Sequence, residues 1–168
     1  PFVGTRYNAG SDGSVLFLQH SRSNTIGAGA ALNDNDEIGA VQFRAFASDN
    51  SSIKMAAIVK AEVNGTTGSG GVPTDLIFGT GTNSSNATEK VRITSDGKVG
   101  INQTAPTSML QVDYDEGNSE VGLRLRAYNA SGSKTWQLSE INGNVGVFTI
   151  RNATNSVNAL SITATGKI

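Results

Sequence analysis

Apolar residues in this chain recur at every second position in short runs, not at the three-to-four spacing of a helix. The clearest run is 38–46 (IGAVQFRAF). Such alternation puts one face of a strand against a core and the other toward water. Residues 53–63 continue in the same style, although 55–59 (MAAIV) can also pass for a helical turn. Further strands are predicted at 75–78, 90–93, 109–112, 121–126, 135–138, 145–150 and 159–162. Between them stand turn signals: Asp12-Gly13, Asn64-Gly65, Asp96-Gly97, Asn142-Gly143 and Thr165-Gly166. No segment keeps a 3.6-residue apolar period for three turns, so the expectation is an all-β chain with little helix. The segments 64–74 and 79–88 read as exposed loops by composition.

One phrase occurs twice. Residues 93–99 (ITSDGKV) return as 162–168 (ITATGKI), and Leu16-Phe17-Leu18 finds a weaker echo in Leu123-Arg124-Leu125. This reading divides the chain into a first module at 1–101 and a second, shortened module at 102–168, with 33–49 part of the first module's extra length. Gly97 and Gly166 sit where a tight turn needs positive φ. Ile93, Val99, Ile101, Leu110, Ile162 and Ile168 are expected to face the interior. Arg92, Lys98, Arg124 and Arg126 are expected to face water. The chain opens at Pro1 and stops at Ile168 inside the repeated phrase, and both ends read as cuts in a longer polypeptide.

Composition explains why repetition matters. Hydrophobic residues are 37% of the chain and charged residues 16%, against about 25% charged in ordinary domains. Gly, Ser, Thr, Asn and Ala fill the difference. Such a chain has little apolar surface to bury per residue, and repetition or oligomerisation is the usual supplement. The net charge is −1, with no basic stripe for nucleic acid and no cationic amphipathic stretch for a membrane surface. The apolar runs, such as Val15-Leu16-Phe17-Leu18, fall far short of the roughly 20 residues of a membrane-spanning helix. Cysteine is absent, so neither a disulfide framework nor a thiolate metal site can form.

The residues 88–101 (TEKVRITSDGKVGI), then Thr104-Ala105-Pro106 and 109–112 (MLQV), closely resemble a phrase that recurs in bacteriophage tail-fibre and related virion proteins. The family phrase runs Arg-Ile-Thr-Ser-Xaa-Gly-Asn-Val-Gly-Ile-Gly, then Thr-Ser-Pro, then a Leu-Xaa-Val strand. Upstream, 36–43 (DEIGAVQF), 61–65 (AEVNG) and 75–78 (DLIF) are similar to the family's preceding strands. The likeness covers about 14–112 well and 113–168 loosely. Two departures are Asn102, where the family often has Gly, and Ala105, where it often has Ser. The resemblance implies elongated, repeat-built modules of short antiparallel strands in a homotrimeric fibre. It implies a structural shaft segment of an extracellular virion appendage that positions host-cell attachment. Its partners would be itself, other tail or fibre proteins, and a host receptor or glycan. The alternative is a receptor- or glycan-binding module of a fibre tip or a bacterial surface adhesin.

The chemical candidates are sparse. His20 is the only histidine, and no Gly-Xaa-Ser-Xaa-Gly elbow supplies a nucleophile for it, so a solvated histidine is expected. The run Asn33-Asp34-Asn35-Asp36-Glu37 is acidic enough for calcium, but Ile38 and Gly39 break the loop spacing, and a solvated turn is expected. Asp113, Asp115 and Glu116 read the same way. Tyr114, Tyr128 and Trp136 have rings that stack on sugars, but Trp136 lies in an alternating strand, where core or interface is the commoner fate. Gly68-Ser69-Gly70-Gly71 lacks the Lys-Ser/Thr of a phosphate loop. Seven Asn-Xaa-Ser/Thr sequons follow from the composition. No enzymatic activity, cofactor or metal is expected.

Overall fold

The computed structural model describes residues 13–49, 51–113, 123–129, 132–141, 144–152 and 157–162. It divides into two compact units, Pro1–Gln111 and Val112–Ile168. Every regular element among the described residues is a strand.

The first unit is built on a six-stranded sheet of β1 (Glu37–Phe46), β2 (Ile53–Val63), β3 (Thr74–Thr80), β4 (Thr88–Ile93), β5 (Val99–Ile101) and β6 (Leu110–Val112), in that order. Successive strands from β1 to β5 pair antiparallel. The sheet therefore runs past residue 101, where the repeat places the end of the first module. The ambiguous segment 55–59 lies in β2, paired on one side by β1 and on the other by β3. Cross-strand pairing decides its state, as tertiary context commonly does for β-sequences. Leu16-Phe17-Leu18 lies outside any strand, while its echo Leu123-Arg124-Leu125 lies in β7 (Leu123–Asn129).

In the second unit β7 is joined by β8 (Gly132–Ile141), β9 (Asn144–Asn152) and β10 (Val157–Ile162) in a four-stranded antiparallel sheet ordered β10-β9-β8-β7. Gly166 and Ile168 lie outside the described residues.

Residues directly opposite in a ladder share a face, so the register of the first sheet sorts its side chains in two. One face carries Ile58, Lys60 and Glu62 of β2, Asp75, Ile77 and Gly79 of β3, Arg92 of β4 and Gly100 of β5. The other carries Val41 and Phe43, Val59, Leu76 and Phe78, Val91 and Ile93, and Val99 and Ile101.

The chain folds back on the first of these faces after β5. A Cβ placed on Gly100 would lie 2.0 Å from the Gln103 carbonyl oxygen. Only glycine lets the returning segment come so close. Asn102 starts the return with φ of 55°. That left-handed conformation favours Gly, and Asn is among the few other side chains that adopt it readily. In the β4–β5 turn Gly97 has φ of 84°.

Two turns are held by aspartates. Asp49 accepts from the backbone N–H groups of Ser51 and Ser52 between β1 and β2. Asp96 lies 2.7 Å from Lys98 Nζ and accepts from the Thr94 hydroxyl between β4 and β5. The Ser51 N–H above all holds Asp49 down to about 2, and Lys98, followed by Thr94, does the same for Asp96.

Gly100→Ala is expected to destabilise the first unit by about 1–3 kcal/mol, the usual cost of overpacking, measured by urea unfolding. For the turns, folding favours the ionised carboxyls. Their contribution is complete above the ordinary value of 3.8 and is lost as pH falls through about 2. Replacing both Asp49 and Asp96 by Asn is expected to flatten the pH dependence of the melting temperature between those limits.

Candidate functional site

A sheet with two chemically distinct faces is the chain's main functional feature. The polar face is closed by an ionic network. Asp75 is wholly buried. Its Oδ2 accepts from Arg92 Nη1 at 2.7 Å and from Asn64 Nδ2 at 2.7 Å, and its Oδ1 accepts from the Ser95 N–H at 2.9 Å. Arg92 also donates in bidentate fashion to Glu89, at 2.8 and 2.7 Å, and reaches Glu62 at 3.6 Å. Lys60 pairs with Glu62 in turn. The carboxylate of Glu89, then that of Asp75, holds the guanidinium protonated above its ordinary range, against the opposing effect of burial. Such forked pairs are the strongest of the charge-assisted hydrogen bonds.

This corrects the expectation that Arg92 faces water. Its side chain is only 13% exposed, because it shares a face with sealed Asp75 and needs that anion as the anion needs it. Lys98 is half-buried beside Asp96.

The apolar face is the reverse case. Ile93, Val99 and Ile101 do share it with Leu76 and Phe78, but the described residues leave much of it exposed, Leu18 lying only over Gly39 near its edge. On it Ile93 is 38% exposed and Phe43 57%; Leu110, at the start of β6, is 62% exposed. Val99 and Ile162 are half-buried. The interior position expected for Ile93, Ile101 and Leu110 is therefore not found within the single chain. Alternation correctly grouped the apolar side chains, but the return of residues 102–106 closes the opposite face. Among the described residues the buried hydrophobic side chains are Leu32, Ile58, Val63 and Ile77.

A polar cleft of about 600 Å³ opens along the network, lined by Asp34, Glu62, Asn64, Arg92, Asp96 and Lys98 among others. Its nearby acidic groups are engaged. Asp34 accepts from the Gly65 N–H at 2.6 Å. Asp36 accepts from Asn33 N–H at 2.8 Å and from Arg22 at 2.9 Å, and the first of these contacts, followed by the second, holds its carboxyl below the ordinary value. The run 33–37 thus ties the segment before β1 to the β2–β3 hairpin. Among the described residues no group of three or more His, Asp or Glu side chains is placed to hold a metal ion. His20 is exposed, with Nδ1 2.7 Å from the Glu37 carbonyl oxygen. Tyr114, Asp115 and Glu116 lie outside the described residues. Tyr128 and Trp136 stand in β7 and β8. No helix long and apolar enough to cross a membrane occurs among the described residues.

Sequence reasoning missed Asp75, Glu62 and Glu89. The available signal was parity: Asp75 alternates with Ile77 and Gly79, so it shares their face. Comparison with protein-family models and with curated proteins finds no match to this chain.

Removing the Asp75 carboxylate takes from Arg92 one of its two close anionic partners and leaves the Ser95 N–H and Asn64 without their acceptor. Asp75→Ala is expected to cost about 3–5 kcal/mol, the scale for breaking a buried pair from one side, with chemical denaturation as the measurement. Asp75→Asn, which keeps an acceptor for the Ser95 N–H, is expected to cost less.

Proposed function

We propose that this chain is a structural, non-catalytic shaft segment of a bacteriophage tail fibre or related virion appendage, assembled as a homotrimer that positions host-receptor binding. One observation carries the reading: among the described residues the apolar face of the first sheet is largely exposed, and few hydrophobic side chains are buried. Covering a large aliphatic or aromatic side chain contributes about 1.5–3 kcal/mol, so a face of this kind is a strong drive to associate. Repeated modules would extend that gain along a fibre axis, as in other repeat-built proteins. The likeness of 88–112 to tail-fibre phrases supports the same reading.

A receptor- or glycan-binding module would find its seat in the polar cleft beside Asp34 and Arg92. Among the described residues no aromatic ring lines that cleft to stack on a sugar, and the shaft reading is preferred.

Light scattering and electron microscopy of the intact fibre test the proposal. The expected result is an elongated particle in which this segment contributes three times its 17.4 kDa. A compact, stably folded monomer overturns it.

A further inference from the structure

We infer that Asn64 is a site of spontaneous deamidation, held in check by two carboxylates of the fold, and that its conversion to a carboxylate weakens the ionic network around Asp75. The inference stands on the first unit alone and does not depend on the assembly.

The chemistry begins in the sequence. Two asparagines precede glycine, Asn64 and Asn142, and the second lies outside the described residues. In an Asn-Gly pair the glycine nitrogen can attack the asparagine Cγ, because no Cβ on the glycine obstructs the approach. That nitrogen loses its proton to solvent, its new bond to Cγ closes a five-membered imide, and the Cγ–Nδ2 bond breaks to release ammonia. Water then opens the imide at either carbonyl. The products are aspartate and isoaspartate, with nothing oxidised or reduced. Asn64 is exposed, so water reaches it.

The structure holds both reacting groups. The nucleophile, the Gly65 N–H, donates to Asp34 Oδ1 at 2.6 Å. A carboxylate is too weak a base to remove a peptide proton, and its charge opposes the amide anion that must form. Asp34 is therefore a brake and not a general base. The leaving nitrogen, Asn64 Nδ2, donates to Asp75 Oδ2 at 2.7 Å, and Asp75 is wholly buried. The Asn64 N–H is tied to the Pro73 carbonyl at 3.0 Å, which fixes the backbone of the pair. Reaction breaks both aspartate contacts. The leaving nitrogen must part from Asp75, and the attacking nitrogen must give up the proton it shares with Asp34.

The product fits worse than the reactant. An oxygen replaces the Nδ2 donor beside Asp75, so two carboxylates meet where a donor met an acceptor. Isoaspartate also adds a carbon to the main chain between β2 and β3. Asp75 then keeps Arg92 and the Ser95 N–H.

The intact chain is incubated at mildly alkaline pH, folded and in guanidinium chloride, and conversion at Asn64 is followed by peptide mass spectrometry. The expected result is conversion about tenfold or more slower in the folded chain, by the protection that a closed native segment gives. Asp34→Ala, checked by urea unfolding to remain folded, is expected to react about fivefold faster than the unchanged folded chain, the worth of one hydrogen bond. Asn64→Asp is expected to have a lower urea midpoint than Asn64→Ala at neutral pH, the gap closing on acidification as the new carboxyl regains a proton to donate. No conversion in guanidinium chloride overturns the site. Equal rates in folded and unfolded chain overturn the hold, a comparison that needs no variant, and so does an unchanged rate in folded Asp34→Ala. Equal midpoints for Asn64→Asp and Asn64→Ala at neutral pH overturn the effect on the network.

Discussion

A carboxylate cut off from water must satisfy its lone pairs with donors or give up its charge. At Asp75 the donors come from three places: the Asn64 side chain after β2, Arg92 on β4 and the Ser95 N–H in the turn beyond it. Each is held at a distance that requires β3 to stand in one register with β4 and the turn after β4 to close toward it. Glu89 then completes the guanidinium's set of partners. A slip of one residue would send Arg92 to the other side of the sheet. The network thus specifies the pairing of the central strands more than it adds net stability, since buried ion pairs recover little beyond their own desolvation.

The consequence is a sheet with inverted sides. Ordinary antiparallel sheets put their apolar side chains against their own core and their charges in water. Here the face with the charges is the one the chain closes, through the return after Gly100 and the tie of Asp34 and Asp36 to the β2–β3 hairpin. Among the described residues the face with Phe43, Phe78, Ile93 and Ile101 stays largely exposed. An open apolar face on a half-polar module is an aggregation hazard in a monomer and an adhesive in an assembly. The fibre reading makes it the second.

The glycines divide along the same line. Gly97 and Gly100 answer different needs within one short phrase: the first supplies a left-handed turn, the second leaves room for the backbone that follows. Asn102 takes a left-handed conformation without being glycine, and so starts the return of the chain after β5.

The amino-acid sequence by itself determined the strands, because alternation and turn residues are local properties that each segment carries alone. Positions 38–46 and 75–78 and the turn at Asp96-Gly97 could be read that way, as could the grouping of Ile93, Val99 and Ile101 on one side. Local pattern equally led to the expectation that this side is the interior. Only the tertiary structure decided which face the chain covers, because that depends on where residues 102–106 return and on Asp75 meeting Arg92 across a ladder. Asp75 and Arg92 are 17 positions apart in the chain. No period within one strand records a partner on another, and the hydrophobic pattern, which ranks faces by apolarity, has no way to register a charge whose partners make its burial tolerable.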